Sequence, residues 1–434
     1  MSTVSLVKQR HSLIPGGAHT YSKGDDQFPS NAPKVILKGK GAYVWGDDGT
    51  KYLDWCMGLR SVSLGHVNEE VNRAVQKQME QGTNFGRPHI KEVELAEYLV
   101  RTLPHIDMVK FAKNGSSVTT AAIKLARAHT GRSYVAYCKE HPFFSYDDWF
   151  IGTTVCHAGV PKEISNLSVA FHYNDIQSVK DVFKKYNNKI ACVIMEVVTT
   201  EEPTNNFLLE VQKLCKKNGA LFIIDEMITG FRFAYKGAVA MYTLNPDLVT
   251  YGKGIANGYS LAVLGGKRSI MERGGITSKK ERVFLMSTTH GAETLSLTAA
   301  LATLHYMKAH KVHDHFWKQG NALKQGIVES INDAHVEKSI AVVGFAPNIS
   351  MTFKDVQGNT SPELKTIFLQ ELIKQGILFQ GYFAISYAHG EKEIKKTITS
   401  IHNVLKIYKE AYSSKNYRKY LVGPAVKPVF RKWN

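Results

Sequence analysis

The chain reads as an α/β protein built on a mainly parallel sheet, and three observations carry that reading. Short apolar runs recur at Ser133 to Tyr137, Lys189 to Glu196, Ala220 to Asp225 and Asp247 to Tyr251, each separated from the next by a helix-length stretch. Such alternation predicts βα units, since parallel strands need a crossover and the helices then cover both faces of the sheet. Two of the runs close on a carboxylate, Glu196 and Asp225, and sheets of this kind collect their working residues at the strand C-terminal ends. Finally, 434 residues at 44% hydrophobic content can bury a large core, which suggests one large and one smaller domain.

Taken in order, the chain begins with a turn-rich arm to about Lys40 that contains Pro15-Gly16-Gly17 and Thr20 to Asp26 and shows little periodicity. Gly41 to Asp54 alternates around Asp48-Gly49 and predicts a β-hairpin. Asn68 to Gln81 and Val93 to Leu103 carry apolar residues at helical spacing. Met108 to Ser117, followed by Thr119 to Arg127, reads as strand, small-residue turn and helix. Free N–H groups and the positive end of the helix dipole make such a turn a phosphate seat, with the Ser116 and Ser117 hydroxyls as added donors; a plain serine N-cap is the alternative. An Ala/Leu-rich helix from Thr294 to about Lys308 leads into the last part of the chain, and the basic tail Tyr417 to Asn434 reads as a surface strap. The expected division is an arm and hairpin over residues 1–65 that packs on the small domain, a large domain over 66–310 and a small C-terminal domain over 311–434.

Composition narrows the function classes. No segment approaches the roughly 18 apolar residues of a membrane span, and the first residues lack the apolar core of a secretory signal, so a cytoplasmic protein is expected. Five cysteines, Cys56, Cys138, Cys156, Cys192 and Cys215, are widely spaced and read as free thiols; no metal-ligand spacing emerges. The formal charge of +17 is spread over scattered lysines with no arginine-rich arm and no nucleic-acid motif. A solvated basic surface is the plain reading, with steering of an anionic substrate or incidental polyanion binding as alternatives.

The chemistry concentrates on Leu248 to Gly258, where an apolar run breaks onto Lys253 between Gly252 and Gly254. A lysine amine works as a nucleophile near neutral pH when its pKa is depressed or it is tied up as an imine, and small neighbours let a bulky partner approach. A solvated Gly-Lys-Gly loop is the alternative. Asp225, closing the run Ala220 to Ile224, needs a cationic or hydrogen-bonding partner in its apolar setting. An imine-forming lysine with a buried aspartate is the pair that pyridoxal 5'-phosphate (PLP) requires, the aspartate keeping the pyridine nitrogen protonated.

From Ile14-Pro15-Gly16-Gly17 through Gly65-His66, Asn114-Gly115-Ser116, Ile224 to Arg232, Gly252-Lys253 and the Thr289 region, the sequence resembles the class III (fold type I) PLP-dependent aminotransferases, and within them the glutamate-1-semialdehyde 2,1-aminomutase group. The resemblance implies a large, mainly parallel mixed-sheet cofactor domain with a smaller α+β domain. It implies that Lys253 holds PLP as a Schiff base and shuttles the proton, and that Asp225 pairs with the pyridine nitrogen. Met227 falls where a side chain packs on one ring face. Phe143, in His141 to Phe150, replaces the tyrosine that stacks on the other face, which keeps the stacking and loses a hydroxyl. Gly115 and Ser116 match the phosphate turn, where Ser117 departs from an acidic residue, and Glu196 matches a glutamate near the cofactor. Thr289 aligns with a threonine that reaches the partner's cofactor phosphate, which implies a homodimer with shared sites; Glu293 and Thr294 replace the more usual Asn-Pro.

Substrate residues follow from the same resemblance. Glu201 stands where the aminomutases often carry an asparagine close to the ring oxygen, and Lys23 falls near a carboxylate-gripping arginine whose fork a lysine does not reproduce. Arg60 is a second candidate anion grip, and a surface salt bridge is the alternative for both cations. The expected function is a transaminase moving an amino group from an amino acid donor to a small, anionic aldehyde, ketone or keto-sugar. The alternatives are an intramolecular 2,1-aminomutase acting on glutamate-1-semialdehyde or a similar amino aldehyde and, more distantly, a non-catalytic basic scaffold with the same fold.

Overall fold

The structure, a computed structural model, describes residues 3–414 and 416–433; Met1, Ser2, Lys415 and Asn434 lie outside it, and with them the two ends of the expected arm and strap. The chain forms two compact units. One takes the residues up to Asn68 together with Asp314–Arg431, the other Glu69–His313 with Lys432 and Trp433. The strands in chain order are β1 (Ile36–Lys40), β2 (Tyr43–Gly46), β3 (Lys51–Asp54), β4 (Met108–Ala112), β5 (Tyr134–Cys138), β6 (Ser168–Phe171), β7 (Ile190–Glu196), β8 (Leu221–Glu226), β9 (Leu248–Tyr251), β10 (Ala262–Gly266), β11 (Ile340–Phe345), β12 (Asn348–Phe353), β13 (Ile377–Leu378) and β14 (Tyr382–Ala384).

In the larger unit seven strands run in the order β4-β10-β9-β8-β7-β5-β6. β5 to β9 pair in parallel, while β10 lies antiparallel to both β9 and β4. Every residue of β7, β8 and β9 is buried, which is why their sequences are nearly continuous apolar runs rather than alternating ones. Helix Gly115–Thr130 packs across β10, β9 and β7 with Val118, Ala121, Ala122, Ile123 and Leu125 inward. Each large aliphatic side chain so buried contributes about 1.5–3 kcal/mol. Helix Thr294–Ala309 is apolar on most of its circumference. It packs on helices Glu69–Met79 and Ile90–Thr102 and on the turn Lys253–Ala256, so it backs the lysine.

In the smaller unit β1-β2-β3-β13 form one sheet and β11-β12-β14 another. The hairpin expected at 41–54 is present as β2 and β3, in antiparallel register. Trp55, fully buried, meets the ring of Phe383 edge-on at 5.2 Å, stacks on His389 at 3.9 Å and donates its indole N–H to Thr397 at 3.1 Å. The arm departs from its expectation by opening with a helix, Thr3–Leu13. That helix has no apolar stripe for the sequence to display; polar contacts tie it down, with Arg10 donating to the Lys34 carbonyl and His11 reaching Asp25 at 2.7 Å.

Candidate active site

The carboxyl ends of β7, β8 and β9 line up in register, with Glu196 opposite Asp225 and Asp225 opposite Thr250. Asp225 is 3% exposed, and its Oδ1 accepts the Met227 backbone N–H and the Thr250 hydroxyl, each at 2.9 Å. Burial lifts its carboxyl above the usual range, and the nearby Lys253 charge acts against that rise. The lysine and aspartate singled out in the sequence therefore share one electrostatic environment. Lys253 itself has φ +43°, a left-handed conformation that a side-chain-bearing residue adopts at a cost and that concentrates at functional sites.

Met227 packs against the turns on either side of this pair. Met227 lies against Gly115 and Gly252: a Cβ on Gly252 would fall 2.5 Å from its sulfur, and one on Gly115 would fall 3.1 Å from it. A Cβ at Gly252 would force the sulfur to move and one at Gly115 would crowd it, so the methionine stands between the turn before helix Gly115–Thr130 and the lysine turn. The helix Gly115–Thr130 is capped by Asn114, whose Oδ1 accepts the Ser117 N–H at 2.9 Å and its hydroxyl at 3.1 Å. The cap is thus an asparagine; the Ser117 hydroxyl donates to it, whereas Ser116 Oγ accepts the Tyr146 N–H at 3.0 Å and keeps its own proton to donate. The backbone N–H groups of this 16-residue helix remain the anion-binding feature of the turn. Phe143 is 46% exposed and meets Phe150 edge-on at 5.7 Å.

Thr289 is exposed, on a stretch without helix or strand, and its carbonyl accepts from Asn84 at 3.3 Å. Just beyond it, Glu293 caps helix Thr294–Ala309 through the N–H groups of Leu295 and Ser296 and pairs with Lys113 at 2.6 Å. Glu293 therefore has a structural role at the start of this helix. Glu201 is exposed on a bend. Lys23 is exposed in a short turn of the smaller unit. Arg60 belongs to that unit too; its guanidinium lies 3.5 Å from the centre of the Tyr382 ring and its Nε donates to Asn348 at 2.7 Å. It ends a run in which Met57, Gly58, Leu59 and Arg60 all have positive φ.

Sequence reasoning passed over Glu226 and His141; the Nδ1 of His141 accepts the Glu196 N–H at 2.9 Å. Glu226 is fully buried, accepting from the Thr229 hydroxyl at 2.6 Å and from the N–H groups of Val239 at 2.6 Å and Ala238 at 3.1 Å. It fastens the loop after β8 back onto the strand end. A second acidic residue directly after Asp225 in a buried run was the available signal. Among the described residues no cluster could hold a metal ion, the five cysteines are free thiols, and no helix is long and apolar enough to cross a membrane.

This set fits PLP on structural grounds. Asp225 is a buried carboxylate that takes the Met227 N–H and the Thr250 hydroxyl on the one oxygen Oδ1, the Lys253 charge acts on it, and Gly115 and Gly252 let Met227 pack close beside the N-terminus of helix Gly115–Thr130. The chain belongs to the class-III aminotransferase family, whose model matches residues 26–405. It is accordingly a PLP-dependent enzyme, of a family that works on amino donors and carbonyl acceptors. Among curated relatives, the glutamate-1-semialdehyde 2,1-aminomutase of a Thermus thermophilus strain is 31% identical over 92% of this chain and 97% of its own length. That of Desulforamulus reducens is 30% identical over 92% and 96%. The FumI protein of Sphingopyxis sp. MTA144, solved in its PLP internal aldimine form, shares the fold with a TM-score of 0.86 at 24% identity, covering 95% of this chain and 97% of that one.

Proposed function

We propose that the protein is a transaminase of the glutamate-1-semialdehyde aminomutase-like group, passing an amino group from an amino acid donor to a small anionic aldehyde, ketone or keto-sugar. The observation that carries the PLP-dependent reading is the Lys253–Asp225 pair at the ends of adjacent strands, with Met227 and the Gly115 turn beside it. PLP, when bound, supplies an electron sink that stabilises the carbanion left when the amino acid loses its α-proton. Asp225 holds the pyridine nitrogen protonated, and the Lys253 amine anchors the cofactor and then carries the proton at its Nζ. Gly115 and Ser116 seat the phosphate with backbone N–H groups next to Ser117, whose own N–H is held by the Asn114 cap, while Phe143 and Met227 take the two ring faces. Glu196 lies beside Asp225 at the neighbouring strand end and limits the site on that side.

Support for an acceptor other than glutamate-1-semialdehyde comes from the departures. Glu201, exposed, stands in place of an asparagine, and a lysine at position 23 cannot make the bidentate grip of an arginine. Arg60, braced by Tyr382 and Asn348, is the better prepared anion-binding cation of the two. The second reading, an intramolecular 2,1-aminomutase, is favoured by the names of relatives at about 30% identity. Homodimerisation, with Thr289 lent to the partner's phosphate, is supported by its exposure and by nearby bare apolar side chains, Phe284 at 70% and Ile276 at 90% exposed. The test is to add single amino acids to the PLP-loaded protein and follow the loss of the visible band. Conversion to the pyridoxamine form with release of a keto acid supports the transaminase; isomerisation of one added substrate without a second favours the mutase.

A further inference from the structure

In the smaller unit the C-terminal segment lies on helix Pro362–Lys374, which buries two polar side chains one turn apart, Thr366 and Gln370. Residues four apart share a helix face, and buried polar groups take partners. Here the partners come from the chain's end. The Gln370 amide donates to the Tyr420 carbonyl at 2.5 Å and its oxygen accepts the Val422 N–H at 3.1 Å, while Thr366 Oγ1 accepts the Val426 N–H at 2.9 Å. Val426 is itself buried. Pro424 and Pro428 fix their own φ, which lowers the entropy that this irregular segment loses on docking. Residues just beyond these bonds grip the N-terminal arm. Lys427 donates its N–H to the Asp26 carbonyl at 2.9 Å, its own carbonyl accepts the Gln27 amide at 3.0 Å, and Arg431 pairs with the Asp26 carboxylate at 2.6 Å. Gly423 passes Ser30 so closely that a Cβ would fall 2.0 Å from its Oγ and 2.7 Å from its Cβ.

The stretch so gripped is poor in structure of its own. Residues 20–27 make two short turns closed by local bonds, from the N–H groups of Lys23, Gly24 and Gln27 to the carbonyls of Thr20, Tyr21 and Gly24. Turns of that length do not hold in water unaided, and chain ends stay ordered only where something ties them down. Asp25 is bonded within the arm, to Arg10 and His11, and Gln380 adds a bond to the Ser22 carbonyl. From residue 28 onward the arm has separate anchors. Phe28 packs on a buried cluster that includes Ala32, Tyr52 and Leu378, and the N–H groups of Lys34 and Val35 go to Asp47 at 3.0 and 3.2 Å. We propose that residues 420–431 are a latch on the N-terminal arm: the strap sits on helix Pro362–Lys374 with or without the arm, and residues 20–27 keep their conformation only while the strap is seated. Dependence runs from helix to strap to arm, because the strap's bonds to Thr366 and Gln370 involve no arm residue, whereas its polar grips on the arm come from Lys427 and Arg431. Lys23 lies in the stretch that the latch holds.

Hydrogen exchange of the full chain, read by mass spectrometry, tests that order. Thr366→Val keeps the shape of the side chain, takes away the acceptor of the Val426 N–H and removes no bond to the arm. A buried N–H left without its partner loosens the strap, so exchange in peptides covering residues 20–27 should speed up about tenfold. Peptides that carry the Lys34 and Val35 N–H groups, bonded to Asp47, should exchange as in wild type. Gly423 lies outside the left-handed region, so Gly423→Ala acts through its Cβ alone. It should speed exchange in residues 20–27 in the same way, and Ser30→Gly in the same chain should restore it. Deleting residues 2–27 should leave exchange at Val422 and Val426 within about twofold of wild type, since those groups are bonded to the helix. Unchanged exchange in residues 20–27 of Thr366→Val overturns the proposal. So does equal acceleration at Lys34 and Val35, which marks general loosening of the unit, and so does a strap set free by deleting the arm. Should Thr366→Val not fold, the Gly423 variants decide: wild-type exchange in Gly423→Ala, or no recovery with Ser30→Gly, overturns it equally.

Discussion

Replacing Asp225 with asparagine separates what the carboxylate does for the fold from what it does for the cofactor. Both hydrogen bonds it receives, from the Met227 N–H and the Thr250 hydroxyl, end on Oδ1 at 2.9 Å, and asparagine retains that oxygen. Because burial disfavours the charged form of this group, the neutral amide should leave the apo-protein within about 1 kcal/mol of wild type, or more stable. Cofactor binding should respond quite differently. A charge-assisted hydrogen bond to the pyridinium nitrogen is lost, which costs about 1.5–3 kcal/mol, or roughly 10- to 150-fold in PLP affinity. Fluorescence titration of PLP together with thermal unfolding of the apo-protein measures both. A folded Asp225→Asn protein that binds PLP within about twofold of wild type, far inside that range, would refute the assignment of the carboxylate to the ring nitrogen.

Two further predictions concern the surroundings of that pair. Burial raises the Glu226 carboxyl from 4.5 to about 7, against the pull of the Thr229 hydroxyl and the Val239 and Ala238 N–H groups. The unfolded chain then binds fewer protons than the fold across this window, so stability is lost as pH rises through it, by about 3 kcal/mol in total. Urea unfolding of apo-protein at several pH values should show wild type losing that amount relative to Glu226→Gln between pH 4.5 and about 7, and a constant difference would contradict it. Gly252 has extended backbone, φ −178°, so Gly252→Ala introduces no strain and acts only through its Cβ, 2.5 Å from the Met227 sulfur. The expected cost is about 1–3 kcal/mol, and Met227→Ala in the same chain should relieve it, giving a double variant more stable than the sum of the single losses; strict additivity would contradict the contact.

The strands that carry the site are legible in the sequence because β7, β8 and β9 are buried on both faces and so read as unbroken apolar runs, two of them reaching a carboxylate at their carboxyl end. The neighbouring β10 is not, since Ala-Val-Leu-Gly-Gly lacks both length and alternation, and its antiparallel place between β4 and β9 is a tertiary fact. The opening helix is hidden for a similar reason: polar contacts of Arg10 and His11 hold it, and these leave no periodic trace. In the candidate site, Lys253 and Asp225 stand out as chemistry-bearing residues in apolar settings. His141 does not, because a histidine in a loop acquires meaning only once its Nδ1 is seen bonded to the Glu196 N–H. Local pattern records what a strand or helix buries; the orientation of a side chain across two strand ends depends on packing that no short window contains.

Borohydride reduction of the PLP-loaded protein, followed by peptide mapping, tests the central assignment directly. The reduced pyridoxyl group should be found on Lys253, in the peptide spanning Gly252 to Gly258, and Lys253→Ala should carry none. Stable attachment to another lysine, or no attachment at all in protein that is folded and exposed to PLP, would contradict it.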